Sequence, residues 1–173
     1  MKVLVISAIS RPESSCHQLA QRICDMCAAH GEDVELVTPA DVGVPVNDGT
    51  VPDDHPAGIA WRARIAEVHC HFWVSPEYHS GMTGAMKNLF DYLHREPLSG
   101  DVVGLAALAG GGMAALNTLN GMSVVARSLG AWVAPEFCAF NSNDVKAGLS
   151  IGDVGRLQKM VDSVILMGRR VYD

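Results

Sequence analysis

Short apolar runs rich in β-branched residues alternate along the chain with longer amphipathic segments. The strand-like runs, which have the length and composition of strands buried on both faces, are 2–7, 33–37, 69–74, 101–110 and 131–137. The helix-like segments, in which apolar residues recur at three- and four-residue spacing, are 16–31, 57–68, 84–94, 113–130 and 154–171. The pattern predicts five strands alternating with five helices in a single domain, residues 1–173.

Regular alternation of strands and helices implies parallel strands joined by crossovers, with helices on both faces of the sheet. Gly31 and Gly130 are expected to end the helices that precede them. Residues 38–56, which carry four Pro and two Gly, are predicted to form an exposed loop. Ligands of such sheets bind beyond the carboxyl ends of the strands, where the winding reverses. The turns after the first, third and fourth strands are therefore candidate binding turns.

Composition narrows the range of partners. The chain is 49% hydrophobic and 18% charged with a formal net charge of −6, and it has no cluster of Lys or Arg, so nucleic-acid binding is not expected. No apolar stretch approaches the roughly 18 residues needed to span a bilayer, so no membrane association is expected. The apolar start is interrupted early by S-R-P-E-S-S and reads as a strand rather than a signal peptide. Five cysteines, an odd number, indicate a reduced, cytoplasmic protein.

The first candidate turn, S-A-I-S-R-P-E-S-S-C, leads into a helix whose free N–H groups attract anions. Ser14 and Ser15 can cap this helix and offer hydroxyls, and Arg11 adds a permanent cation suited to phosphate. The alternative is that Ser14 is only a cap and Arg11 only a solvated surface residue. Neither a Walker pattern nor G-x-G-x-x-G follows the first strand, which disfavours nucleotide hydrolysis and a dinucleotide fold.

The second candidate turn begins the segment S-P-E-Y-H-S-G-M-T-G-A-M-K-N-L-F-D-Y-L, residues 75–93. Gly81 and Gly84 would let backbone N–H and C=O groups approach the edge of a planar heterocycle. Pro76 would stiffen the start of the turn, and Tyr78 could lie against the ring.

These turns together resemble the NADPH-dependent FMN reductase family, a flavodoxin-like group that includes quinone, azo-dye and chromate reductases. Residues 75–93 are similar to the family's S-P-E-Y-N-x-S-x-P-G-x-L-K-N-A-I-D segment, and S-R-P-E-S-S-C-H-Q-L-A resembles its phosphate loop. The segment A-G-G-G-M-A-A-L-N-T-L-N-G-M-S-V-V-A-R-S-L-G-A-W-V resembles its glycine-rich turn and following helix. The resemblance runs from about residue 2 to residue 137 in the same order.

The resemblance implies a flavodoxin-like three-layer α/β sandwich with a five-stranded parallel sheet in the order 2-1-3-4-5. It implies FMN as cofactor and NADPH or NADH as co-substrate. The implied FMN-binding residues, with Ser15 added from the same first turn, are Arg11, Ser14, Ser15 and Cys16 around the phosphate, Pro76, Glu77, Tyr78 and His79 around the isoalloxazine and ribityl parts, and Gly110, Gly111 and Gly112 at the other polar edge. Lys87, Asn88 and Asp91 would fix their helix and, in relatives, a subunit contact. Because relatives cover the flavin edge with a neighbouring subunit, a homodimer or homotetramer is expected.

The implied activity is an oxidoreductase in which reduced nicotinamide passes hydride to the flavin. A small acceptor, such as free FMN or a quinone, then takes the electrons in ping-pong turnover. No catalytic side chain is required, although His79 or Tyr78 could touch the acceptor. The alternatives are a flavodoxin-like electron carrier without nicotinamide turnover, which Arg11 and the moderate charge disfavour, and a flavin-free interaction domain.

The chain departs from the family pattern in three places. Ala8-Ile9 replaces the usual Gly-Ser before the phosphate loop, which removes one hydroxyl and one flexible position. His79 replaces a common Asn and Thr83 a common Pro, changes that could tune redox properties or substrate choice.

Four further features are interpreted as structural. Cys24 and Cys27 form a C-x-x-C, a pattern that could indicate redox or metal chemistry. They lie inside a helix, away from the N-terminus where a thiolate is stabilised, so a structural role is favoured. His69 and His71 share one face of a strand without a third metal ligand at useful spacing. Met113 is interpreted as core, with a place beside the flavin as the alternative, and Glu77 as acting through backbone contacts rather than as a general base.

Overall fold

The computed structural model describes residues 1–111 and 115–172 of the 173-residue chain. The strands are β1 (Lys2–Ser7), β2 (Asp33–Val37), β3 (Cys70–Pro76), β4 (Val102–Ala109) and β5 (Trp132–Asn141). The helices are α1 (Ser15–Ala29), α2 (Pro39–Val42), α3 (Pro56–Ala66), α4 (Gly84–Asp91), α5 (Leu116–Ser128), α6 (Ser142–Ala147) and α7 (Ile151–Tyr172), with a 3₁₀ turn at Glu96–Leu98.

The strands form one parallel sheet in the order β2-β1-β3-β4-β5, which confirms the predicted fold class. Val5 lies between Leu36 of β2 and Phe72 of β3, and Trp73 of β3 pairs with Leu105 of β4. The three central strands are buried almost throughout, as expected for a sheet covered on both faces.

Helices cover both faces of the sheet. On one face α1 and α7 pack together, and α7 approaches β4 closely because Gly104 has no side chain. A Cβ at Gly104 would lie 2.7 Å from the Phe72 ring and 3.0 Å from Val164 of α7. On the other face Trp73 stacks on Phe90 of α4 at 4.1 Å, and the indole N–H of Trp61 in α3 donates to the Leu89 carbonyl. The result is a three-layer sandwich.

Helix ends follow the predicted signals. Gly31 and Gly130 have left-handed φ values of 79° and 86° directly after the residues that cap α1 and α5. The short helix α2, however, lies inside the segment predicted as a loop. It begins with Pro39, and the Asp41 carboxylate accepts hydrogen bonds from the N–H and the hydroxyl of Thr38. The proline and the Thr38–Asp41 pair are a helix-start signal that the loop prediction overlooked.

The fifth strand is longer than the predicted 131–137, and α6 after it was not predicted. The register against β4 shifts between Val103, which pairs with Val133, and Leu105, which pairs with Phe137. The strand passes Pro135 by this irregularity and continues to Asn141. The final helix also begins at Ile151 rather than residue 154.

The cysteine and histidine pairs have structural positions. All five cysteines are free and buried, including Cys24 and Cys27 in α1. His71 is completely buried and its Nε2 lies 2.9 Å from Asp101, which also accepts a hydrogen bond from Tyr172. No group of three or more His, Cys, Asp or Glu side chains in residues 1–111 and 115–172 is arranged to hold a metal ion. In the same residues, no helix has both the length and the apolar character to cross a bilayer.

Candidate functional site

A cavity of about 290 Å³ opens at the carboxyl edge of the sheet, where β1, β3 and β4 end. In the order β2-β1-β3-β4-β5 the winding reverses between β1 and β3, so this cavity occupies the expected place for a ligand. The lining residues of this cleft are Ile9, Arg11, Ser14, Ser15, Cys16, Pro76, Glu77, Tyr78, Leu108, Gly110, Ser142 and Lys146. Eight of the eleven residues predicted to bind cofactor thus lie together here.

The first turn presents the open N-terminus of α1 to the cleft. The Ser14 hydroxyl caps the helix by accepting a hydrogen bond from the His17 N–H at 3.1 Å. The N–H groups of Ser15 and Cys16 have no acceptor among the residues that the structure describes. The first turn of α1 contains no acidic residue, and Arg11 is exposed beside it. Free N–H groups, the helix dipole and a guanidinium make this corner suited to a bound anion.

Two side chains of this turn have structural partners. The Ser15 hydroxyl donates to the Ser142 carbonyl at 3.0 Å, which ties α1 to the start of α6. The Cys16 thiol donates to the Val74 carbonyl at 3.2 Å, and burial raises the pKa of this thiol to about 11. The Cys16 thiol is therefore protonated at neutral pH and bonded within the fold, and its backbone N–H is the group free to bind an anion.

The turn after β3 is a tight hairpin. The N–H of Tyr78 donates to the Gly81 carbonyl at 2.9 Å, and the N–H of Gly81 donates back at 3.1 Å. His79 and Ser80 between them have left-handed φ values of 49° and 64°, which is the geometry of a type I′ turn. This turn directs Tyr78, which is 56% exposed, to the cleft, whereas His79 does not line it.

Glu77 connects this hairpin to two neighbouring elements. Its N–H donates to the Leu108 carbonyl of β4 at 2.7 Å. Its carboxylate accepts a hydrogen bond at 3.0 Å from the Thr118 N–H in the first turn of α5. A carboxylate is favourable at a helix N-terminus. The side chain of Glu77 thus has a positioning role, although it was interpreted as acting mainly through backbone contacts.

The glycines after β4 leave open space. A Cβ added at Gly110 or Gly111 would meet no protein atom within 4 Å, so nothing in the described chain itself requires glycine there. Of the two, only Gly110 lines the cleft. Gly112 and Met113 lie outside the described residues.

The helix after the hairpin also has an assigned structural role. Gly84 lines a separate cavity of about 590 Å³ between α4 and the 38–56 segment, rather than the cleft. Asn88 accepts a hydrogen bond from the Asn47 N–H and donates one to the Pro45 carbonyl, each at 2.9 Å. Lys87 and Asp91 form an ion pair on α4. These contacts fix the helix, as predicted.

Four lining residues were not identified from the sequence. Ile9 and Leu108 add apolar surface at the ends of β1 and β4, and Ser142 and Lys146 come from α6. Lys146 is thus a second cation that lines the cleft, in addition to Arg11. Because α6 itself was not predicted, no local signal placed Lys146 near residues that precede it by about 130 positions.

The family model described as NADPH-dependent FMN reductase matches residues 1–144. The chain is 26% identical over 165 residues to the NADPH-dependent FMN reductase ArsH of Shigella flexneri, covering 91% of this chain and 61% of the relative. It is 48% identical over 48 residues to the NADPH azoreductase of Bacillus sp. (strain OY1-2), covering 28% of this chain and 27% of the relative. The chain therefore spans less than two thirds of the length of these curated relatives.

Solved structures share the fold. The apo form of the NADH:FMN oxidoreductase EMOB superposes with a TM-score of 0.80 at 16% identity, covering 99% of this chain and 90% of that one. The flavoenzyme FerB from Paracoccus denitrificans gives 0.78 at 15% identity, covering 98% and 97%. A flavodoxin from the domain Archaea gives 0.65 at 13% identity, with both chains fully covered. At these identities the likeness establishes a flavodoxin-like fold.

Proposed function

Because the chain belongs to the NADPH-dependent FMN reductase family, we propose that the cleft binds FMN and that the protein is an NAD(P)H-dependent flavin oxidoreductase. The observation that carries the proposal is the convergence of an open helix N-terminus and two cations at the carboxyl edge of the sheet. An electron carrier needs the same cofactor, so turnover with nicotinamide is the property that the experiment must establish.

The phosphate would bind at the N-terminus of α1. The N–H groups of Ser15 and Cys16 lack acceptors in the described part of the chain and supply two donors. Arg11, which precedes α1, and Lys146 of α6 both line the cleft and add positive charge. This donor set fits a phosphate dianion even though the Gly-Ser of the family pattern is replaced by Ala8-Ile9.

The ring would bind near the hairpin and the glycine turn. Pro76 and Tyr78 offer a rigid, partly apolar surface, and Gly110 leaves its backbone uncovered. Glu77 holds the hairpin against β4 and α5, so the surface is preorganised before a ligand arrives. The open space at Gly110 is consistent with a ligand that approaches the backbone closely.

The bound cofactor would supply the redox chemistry, accepting hydride from reduced nicotinamide and delivering electrons to a small acceptor such as free FMN or a quinone. The protein residues bind and orient, and no side chain is assigned a proton-transfer role. We also propose ping-pong turnover, in which the oxidised nicotinamide leaves before the acceptor binds. This order would give parallel double-reciprocal plots.

We also propose self-association into a homodimer or homotetramer. Tyr78 in the hairpin is 56% exposed and Val46 in the 38–56 segment is 76% exposed. Each would offer apolar area to a second subunit that covers the edge of the cleft. Light scattering should give a mass of two or four chains, and a monomer would contradict the proposal.

The decisive experiment is an absorbance titration of the purified protein with FMN, followed by steady-state oxidation of NADPH and NADH. We expect saturable FMN binding, an FMN-dependent rise in melting temperature and turnover with an added quinone or free FMN. Binding without turnover would establish the electron carrier instead. A protein that binds no FMN would overturn the proposal and favour an interaction domain.

A further inference from the structure

Two cavities meet at Trp132, at the amino edge of the sheet and away from the cleft. One, of about 440 Å³, is lined by Arg95, Arg127, Gly130, Ala131, Trp132 and Val133. The other, of about 270 Å³, shares Trp132 and Val133 and adds the apolar side chains of Leu166 and Met167 together with Arg170. We call this surface the Trp132 groove and define it by Arg95, Arg127, Trp132, Leu166 and Arg170.

The indole of Trp132 is unusually exposed for this protein. Its exposed fraction is 61%, whereas Trp61 and Trp73 are 1% and 0% exposed. The backbone position is fixed, because the Trp132 N–H donates to the Asp101 carbonyl at 2.8 Å where β5 begins. A large aromatic side chain held at the surface by an ordered strand is a common feature of binding sites.

The groove also concentrates unpaired positive charge. Arg95, Arg127 and Arg170 have no hydrogen-bond or ion-pair partner among the described residues. By contrast Arg64, Arg156 and Arg169 are each paired with an acidic side chain. The chain carries a formal net charge of −6, so a group of three guanidinium groups that lack a partner in residues 1–111 and 115–172 contrasts with its overall charge.

The side chain of Arg95 passes close to the backbone of Gly130. A Cβ at Gly130 would lie 3.2 Å from Arg95 Nε and 2.9 Å from the Ser99 hydroxyl oxygen. The Arg95 side chain therefore rests on bare backbone at the wall of the larger cavity. A side chain at position 130 would crowd Arg95, so glycine keeps this wall of the cavity open.

We propose that the Trp132 groove is a second ligand site that takes a small planar aromatic anion. The indole would stack on the ring, and the guanidinium groups of Arg95 and Arg127 would bind its sulfonate, carboxylate or phosphate. Concave cavities of this volume suit small molecules rather than a protein surface. The groove lies at the other end of β4 from the cleft, about 26 Å away for eight residues, so the site is independent of the proposed FMN site.

Isothermal titration calorimetry with naphthalene-1,5-disulfonate tests the proposal on protein with and without FMN. We expect one site per chain and binding at least about tenfold weaker in Arg95→Ala, Arg127→Ala and Trp132→Ala. Arg22→Ala is the matched control, because Arg22 is exposed on α1 and the substitution removes the same charge outside the groove. Inorganic sulfate and 2-naphthalenemethanol, which carry only charge or only the ring, should bind much more weakly than the disulfonate.

The fluorescence of Trp132 gives a second readout. As the one exposed indole among the three tryptophans, it should be quenched by acrylamide in the free protein and protected by the disulfonate. Equal loss of binding in Arg22→Ala, or unchanged binding in the Arg95→Ala/Arg127→Ala double variant, would overturn the proposal. The proposal would also be overturned if Trp132 were shielded from acrylamide before ligand is added and became accessible when the protein is diluted. The groove would then be a subunit interface.

Discussion

Two serine hydroxyls at the first turn of α1 are already committed within the protein. Ser14 Oγ accepts from the His17 N–H, and the Ser15 hydroxyl donates to the Ser142 carbonyl. An anion bound here would therefore depend on backbone N–H groups and on nearby cations more than on hydroxyls. Such binding would not need the hydroxyl that is lost where Ala8-Ile9 replaces Gly-Ser, and Arg11 and Lys146 are the side chains to test.

We predict that Arg11→Ala weakens FMN binding and leaves the fold intact. Arg11 is exposed, so the loss of its hydrogen bond to phosphate should cost only about 1 kcal/mol, or about fivefold in the dissociation constant. Fluorescence titration measures the affinity, and urea unfolding should give an unchanged free energy. Arg22→Ala on α1, which removes the same charge from an exposed residue that does not line the cleft, is the matched control. Equal affinities for all three proteins would count against the assigned phosphate site.

We predict that Lys146→Ala reduces discrimination between FMN and riboflavin. Riboflavin lacks the phosphate, so only FMN should lose affinity, by about fivefold. Lys146→Arg should retain most of the affinity because it keeps the charge. Lys159→Ala, which removes a 75% exposed lysine on α7, serves as the control. A Lys146→Ala variant that loses both ligands equally would indicate a structural role for the side chain.

At the scale of elements, the hairpin after β3 stores strain in two residues other than glycine. We predict that Ser80→Gly raises the free energy of unfolding by about 0.5–1 kcal/mol, because the left-handed conformation is costly for a residue with a Cβ. Ser80→Val should lower it. Ser99→Gly is the matched control, since Ser99 has a φ of −69° and should only lose stability. Urea unfolding at neutral pH measures all three, and a destabilised Ser80→Gly would show that the turn is not strained.

The elements that could be predicted are those with strong periodicity. The buried runs of β1, β3 and β4 and the apolar face of α1 carry their own signal, and the sheet order followed from the family resemblance. The fifth strand was predicted to end at residue 137, whereas it runs past Pro135 through the register shift against β4 and continues to Asn141. Six residues of α6 are too few for a periodic pattern, and contacts with α1 stabilise them. The second cation of the cleft was missed with that helix.

At the scale of the whole molecule, burial acts on all five thiols in the same direction. Burial raises the pKa of Cys16 and Cys138 to about 11 and that of Cys24, Cys27 and Cys70 to about 12, from an ordinary value of 9.0. In the unfolded chain these thiols would ionise near their ordinary value. Between about pH 9 and pH 11 the folded chain therefore holds protons that the unfolded chain releases.

We predict that the free energy of unfolding is constant with respect to these thiols below pH 9 and falls as the pH rises from 9 to 11. The sign follows because rising pH favours the state that has lost protons, which here is the unfolded chain. Urea unfolding at pH 8, 9, 10 and 10.5 in the presence of a non-thiol reductant measures the slope. Cys24→Ala removes one of the five contributions and should flatten the slope, whatever it does to stability at pH 8. If the free energy of unfolding of this variant fell between pH 9 and 10.5 as steeply as that of the unchanged protein, the Cys24 thiol would not ionise differently in the folded and unfolded states. The alkaline loss of stability would then have another source.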